Sequence, residues 1–94
     1  MIRREGDVMQ VSGALTLASV AADLALGKAA IAEGARSVDL AGVGELDSSA
    51  LALLLAWLRE AKAAGRSLVF ANLPESLRTI ARLYGVQDLL PAAH

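Results

Sequence analysis

The order of its segments constrains the fold of this chain most, because short apolar runs typical of strands alternate with longer helical segments. Residues 1–4 and 8–12 are typical of two strands around the turn signal Glu5-Gly6-Asp7, which predicts a hairpin. Residues 37–40 and 67–71 are predicted to form two further strands. Strand–helix–strand alternation implies parallel pairing with right-handed crossovers. We therefore predict an α/β fold with a mixed β-sheet, in which the opening hairpin is antiparallel, the remaining strands are parallel, and the helices lie mainly on one face.

Three helices are predicted between and after these strands. The first covers residues 19–33, and Gly27 lowers its intrinsic stability by about 1 kcal/mol relative to alanine. The second covers residues 48–64 and has the spacing of one buried face at Leu51, Leu54, Leu55 and Leu58. The third has Pro74 in its first turn and ends at Gly85.

Length and composition limit what this chain can do. Its 94 residues are enough for a single domain, residues 1–94, with one core. There is no cysteine, and the one histidine, His94, is the last residue, which excludes a thiolate nucleophile and argues against a Ser-His-Asp triad. The formal net charge of −1 argues against nucleic-acid binding. We predict no metal site and no cofactor.

The apolar stretches do not predict a membrane segment. The longest run without polar residues, residues 50–58, is much shorter than the roughly 20 residues of a spanning helix. Arg3-Arg4 and the apolar residues after them loosely imitate a signal peptide, but Glu5 and Asp7 lie in the would-be basic region. We therefore expect a cytoplasmic protein that does not insert into the membrane.

The sequence Asp47-Ser48-Ser49 lies between a predicted loop at residues 41–46 and the second helix. One interpretation is helix capping, because serine and aspartate oxygens accept the free N–H groups of a first turn. The other is a recognition or phosphorylation site at Ser48, since a helix N-terminus favours negative charge. A phosphate there would add charge beside Asp47 and could repel a partner.

A second apolar strip is predicted on the second helix, away from its core face. On a helical wheel, Ala50, Leu53 and Trp57 share this strip, which begins beside the two serines. An exposed strip with the sole tryptophan indicates a protein interface. The alternative is that another element, such as the apolar residues 86–90, covers it. We predict a partner-binding surface formed by Ser48, Ser49, Ala50, Leu53 and Trp57.

No part of the sequence predicts catalysis. Glu45 and Asp47 lie on one short loop, and nothing sets them across a cleft as an acid–base pair. Gly42-Val43-Gly44 lacks the other positions of a phosphate-binding loop. We therefore predict that the protein is not an enzyme.

The strand, the short loop, Asp47-Ser48-Ser49 and the leucine-rich helix together resemble the STAS family, and the likeness covers nearly the whole chain. In the family's anti-sigma factor antagonists, the hydroxyl residue after the aspartate is phosphorylated by a kinase anti-sigma factor, and that position is Ser48 here. Two positions depart from those antagonists. Ala50 stands where they usually have glycine, and residues 13–16 read Gly-Ala-Leu-Thr instead of Gly-Glu-Leu-Asp.

The chain more closely resembles the MlaB-type STAS subunits of Mla phospholipid-transport ABC complexes. This likeness depends on the run Leu51–Leu55, the run Ala81–Tyr84 and the short tail. It implies a non-enzymatic subunit that binds and supports the ABC-transporter ATPase, with Ser48 and the following helix at the interface. It also implies a cytoplasmic location, peripheral to the inner membrane, and a role in outer-membrane lipid asymmetry. The alternative is an anti-sigma factor antagonist that is switched by phosphorylation of Ser48 and whose partner is an anti-sigma factor kinase.

Overall fold

A computed structural model describes residues 1–92. The elements follow in the order β1 (Ile2–Glu5), β2 (Val8–Leu15), α1 (Val20–Ala32), β3 (Ser37–Leu46), α2 (Ser48–Ala63), β4 (Val69–Ala71) and α3 (Glu75–Leu83), and a short 3₁₀ helix covers Gln87–Leu89. The strands form one sheet in the order β1-β2-β3-β4. β1 pairs with β2 antiparallel, and β2–β3 and β3–β4 are parallel pairs. The predicted mixed sheet is confirmed.

One face of the sheet forms the core. Alternate residues of the strands are almost completely buried on this face: Met9, Val11, Val38, Leu40 and Phe70. The residues between them, such as Gln10 and Asp39, stay partly exposed. This period of two places one face against the helices, as predicted, and leaves the other open.

The predicted loop at residues 41–46 is wrong, because β3 continues to Leu46. The second half of β3 pairs with β2 through Gly42–Ser12 and Leu46–Leu15, with one register shift before the first of these pairs and another between the two. At Gly42 a Cβ atom would lie 3.0 Å from the Ser12 Cβ and 3.2 Å from a backbone oxygen of β2. Glycine therefore permits a close approach of two strands here, where the sequence predicted a loop.

Helix α2 lies between α1 and α3. Both α1 and α2 connect parallel strands, so they run in the same direction beside each other. Gly27 of α1 lies directly against the Trp57 indole of α2, at a point where any Cβ atom would overlap the ring. The indole Nε1–H donates to the Leu24 carbonyl at 3.4 Å. The glycine that lowers the helix propensity of α1 thus provides the space that the largest core side chain occupies.

The last segment returns to the sheet. Leu77 and Ala81 of α3 and Leu90 after the 3₁₀ helix are buried, whereas Tyr84, at the C-terminal end of α3, is exposed. The Phe70 N–H of β4 donates to the Pro91 carbonyl at 2.8 Å, and Ala92 bridges Phe70 in parallel. Among residues 1–92, no helix has the length and apolar character needed to cross a bilayer.

Candidate interaction site at the start of α2

Asp47 caps α2, and neither serine does. Its Oδ1 accepts a hydrogen bond from the Ser49 N–H at 2.8 Å, and its Oδ2 accepts one from the Leu17 N–H at 3.1 Å. These donors, first Leu17 and then Ser49, hold the pKa of the Asp47 carboxyl below its usual value. The predicted capping is therefore present, and the same side chain ties the loop after β2 to the start of α2.

With the cap supplied by Asp47, Ser48 is left free for another role. Ser48 is exposed, and its hydroxyl makes none of the side-chain hydrogen bonds found among residues 1–92. It lies in the first turn of α2, where free N–H groups and the helix dipole favour negative charge. Ser49 is half-buried and supplies its N–H to the cap. The two serines therefore differ, and of the two only Ser48 is exposed.

The predicted exposed strip on α2 is wrong. Ala50, Leu53 and Trp57 are 0%, 1% and 0% exposed. At Trp57 the covering element is α1, since Gly27 lies against the indole ring and the Leu24 carbonyl accepts from the indole N–H. A helix packed between two others buries two faces, and a helical wheel cannot show on which sides its neighbours lie. These three residues therefore support the site from below and do not form its surface.

The solvent-facing side of α2 is a different line of residues, here termed the α2 stripe. It consists of Ser48, Ala52, Ala56, Arg59 and Lys62, of which only Ala56 is half-buried. Their spacing of three and four residues places them along one side of the helix. The first half of the α2 stripe carries only small side chains, so a partner surface can approach the helix closely there.

Leu17 is the apolar residue of this site that the sequence did not indicate. Its side chain is 76% exposed, although its N–H is fixed by Asp47. The loop that carries it is also fixed by Ser19, whose hydroxyl accepts from the Thr16 N–H at 3.1 Å and donates to the Ala14 carbonyl at 3.0 Å. Single exposed leucines are common on protein surfaces. Leu17 is a candidate contact residue because its loop is fixed to the start of α2 through Asp47. In the sequence, a leucine between a predicted strand and a predicted helix does not indicate an exposed contact residue.

The acidic residues around the site do not form a catalytic pair. Glu45 is exposed, and both oxygens of Asp47 accept backbone N–H groups. Asp39 accepts hydrogen bonds from the Ala41 N–H and from the Asn72 amide, each at 2.9 Å. Both bonds lower the pKa of the Asp39 carboxyl, and the bond from Asn72 has the larger effect. Among residues 1–92, no three acidic or histidine side chains cluster as metal ligands. The arrangement is suited to contact with another molecule through Leu17, Ser48 and the α2 stripe.

Several solved structures share this fold. The anti-sigma factor antagonist SpoIIAA in its unphosphorylated form has 21% identity and a TM-score of 0.73 over 100% of this chain and 87% of that chain. The Bacillus cell fate determinant SpoIIAA in its phosphorylated form has 21% identity and a TM-score of 0.69 over 100% and 90%. A candidate anti-sigma factor antagonist from Thermotoga maritima has 13% identity and a TM-score of 0.76 over 98% and 83%.

The family follows from the sequence itself. A search of curated protein sequences finds no significant match. At the identities above, the solved structures show a shared fold only. A family profile described as "Mlab, STAS domain", in contrast, matches residues 2–91, which is nearly the whole chain. The mixed sheet, the Asp47 cap and the exposed Ser48 at the start of α2 therefore belong to a STAS domain of the Mlab family.

Proposed function

We propose that this protein is a non-enzymatic STAS subunit that binds and supports the cytoplasmic ATPase of an Mla-type ABC phospholipid transporter. In this role it would be cytoplasmic, peripheral to the inner membrane through its partner, and would serve outer-membrane lipid asymmetry. The observation that carries the proposal is the Mlab family match over residues 2–91. The resemblance of the α2 sequence and of the run Ala81–Tyr84 to such subunits supports it.

The geometry supports a protein contact at Ser48. Leu17 provides an exposed apolar anchor, Ser48 provides a free hydroxyl, and Ala52 leaves the helix surface accessible to a partner backbone. Apolar anchors surrounded by polar groups are typical of the centre of protein interfaces. The proposed contact surface therefore consists of Leu17, Ser49 and the small residues of the α2 stripe, which are Ser48, Ala52 and Ala56. Ala50, Leu53 and Trp57 lie beneath it.

The second candidate function is an anti-sigma factor antagonist switched by phosphorylation of Ser48. Two observations favour it: the fold likeness to SpoIIAA, which is known in unphosphorylated and phosphorylated forms, and the exposure of Ser48 beside free N–H groups. The two candidates differ in the partner and in the chemical state of Ser48.

The test is to purify the tagged protein from its native bacterium and to identify both its partners and any modification of Ser48 by mass spectrometry. Recovery of an ABC ATPase with unmodified Ser48 is expected. Recovery of a kinase-like anti-sigma factor, with phosphate on Ser48, would instead establish the antagonist.

Variants locate the contact on the recovered ATPase. Ser48→Asp and Leu17→Asp should each weaken binding about tenfold or more, because each places a charge in the contact surface next to Asp47. Ser76→Asp is the matched control for the first variant, since Ser76 is also exposed in the first turn of a helix, α3. Leu83→Asp is the control for the second, because Leu83 is 80% exposed and lies on α3. Equal affinity of all four variants would place the interface elsewhere.

A further inference from the structure

An open apolar groove lies along the second half of α2. Its volume is about 780 Å³, within the range of small-molecule sites. Its apolar lining comes from α2, β4 and the returning tail: Leu55, Leu58, Leu68, Val69, Leu89 and Pro91. Ser48 lies at the other end of α2, about 21 Å from Lys62 at 1.5 Å of rise per residue. The groove is therefore separate from the proposed contact surface.

The charged residues that line the groove all have the same sign. Arg59, Lys62 and Arg66 contribute to its wall, and none of the acidic residues within 1–92 does. Neither of the ion pairs found within residues 1–92 includes any of the three; these are Arg4–Glu33 and Lys28–Glu60. One guanidinium N–H of Arg66 donates to the Ile31 carbonyl, which fixes the side chain. The other guanidinium N–H groups remain available to a ligand. In a chain with a net charge of −1, three such cations beside an apolar surface make the local electrostatic potential positive, which favours an anionic ligand.

We propose that this groove binds an anionic amphiphile with a single apolar chain, namely a long-chain carboxylate. The apolar chain would lie on Leu55, Leu58 and Leu89, and the head would pair with Arg59 and Lys62. The apolar floor alone would accept any hydrophobic molecule, and the cations alone would accept any anion. Their combination within a small-molecule volume selects a ligand that has both parts. This site does not depend on the proposed ATPase partner.

The experiment is a titration of the ¹⁵N-labelled full chain with dodecanoate, kept below its micelle concentration and followed by amide chemical shifts. We expect saturable shifts at Leu55, Leu58, Lys62, Val69 and Leu89. Dodecyl maltoside and dodecyltrimethylammonium carry the same chain with a neutral or a positive head, and both should bind about tenfold more weakly or worse. Equal binding of the three would show only a nonspecific apolar surface and would overturn the proposal.

Paired variants test the two halves of the site. The double variant Arg59→Glu/Lys62→Glu should weaken dodecanoate binding about tenfold or more, and Arg3→Glu/Arg36→Glu should leave it unchanged with the same change in net charge. Leu89→Asp should abolish the shifts, whereas Leu83→Asp should keep them; both leucines are exposed, so neither change disturbs the core. Unsaturable shifts, or shifts that persist in the charge-reversed variant, would reject the site. Perturbation of these amides by a protein partner, with none from dodecanoate, would also reject it.

Discussion

The carboxylates of Asp47 and Asp23 both stand at the start of a helix, but their surroundings are opposite. Asp47 is accessible to solvent and accepts two backbone N–H groups. Asp23, in the first turn of α1, is only 5% exposed, and its Oδ2 is buried without a hydrogen-bond partner among residues 1–92. A buried carboxylate oxygen without a hydrogen-bond partner lowers the stability of the folded state. A carboxylate that caps a helix raises it.

Replacement of Asp23 should therefore stabilise the protein. We expect Asp23→Asn, which keeps the shape and removes the buried carboxylate, to raise the free energy of unfolding by about 1 kcal/mol or more. Urea denaturation measures this change. Asp7→Asn is the control, because Asp7 is exposed in the turn between β1 and β2 and should leave the value unchanged. A loss of stability in Asp23→Asn would mean that the carboxylate has a stabilising role in the folded state.

Among the elements, the packing of α1 on α2 depends on one position. A Cβ atom on Gly27 would overlap the Trp57 indole, so Gly27→Ala must separate the helices or displace the ring. We expect it to lower the free energy of unfolding by about 1–3 kcal/mol, although alanine is the better helix former. Urea denaturation again provides the measurement.

Two controls separate this overlap from a general effect of losing a glycine. Gly44→Ala should cost little, since nothing lies within 4 Å of the position of its Cβ atom. The cost of Gly27→Ala should also shrink in a Trp57→Leu background, because the two changes act on one contact. An undiminished cost in that background would place the strain elsewhere.

The elements also show what the sequence can predict. The order of strands and helices was predictable because it depends on local periodicity and on glycine positions. The extension of β3 was not, since Gly42 and Gly44 have the same appearance in a turn and in a strand that passes close to its neighbour. The exposed strip was not predictable because burial of Leu53 and Trp57 depends on where α1 packs. The sequence did contain one indication of this packing, which is Gly27. A glycine in the middle of a predicted helix can mark a position where another element packs closely against that helix.

The candidate site was predictable only in part. The residue pattern indicated a cap and a free hydroxyl, and the structure divides these roles between Asp47 and Ser48. Leu17 could not be assigned, because its place at the start of α2 results from a hydrogen bond to Asp47 across 30 residues of chain.

On the scale of the whole molecule, two carboxylates connect separate parts of the chain. Asp39 joins β3 to Asn72 after β4, and Asp47 joins the loop after β2 to α2. Hydrogen bonds hold the pKa of each carboxyl below the ordinary value of 3.8. Each group therefore contributes stability that is fully present above about pH 5, where the carboxyl is ionised in the unfolded chain as well, and that is lost as the pH falls through its lower folded-state pKa.

This predicts a common pH dependence. The free energy of unfolding of the double variant Asp39→Asn/Asp47→Asn should be lower than that of the unchanged protein at pH 6, and the difference should shrink between about pH 5 and pH 2. Denaturation at a series of pH values checks this prediction. Glu45→Gln, at an exposed position of β3, should change the free energy of unfolding by a small and constant amount. If the difference in the free energy of unfolding between the double variant and the unchanged protein does not vary with pH, neither carboxylate contributes to the loss of stability in acid.

The hydrogen bond from Phe70 to Pro91 has a consequence for solubility. β4 is an edge strand, and an edge strand offers free backbone groups to any strand from another molecule. The return of the chain at Pro91 and Ala92 occupies part of that edge. Pro91 and Ala92 therefore leave less of the β4 edge open to pairing with a strand of another molecule, and a change that displaces these two residues would expose that edge.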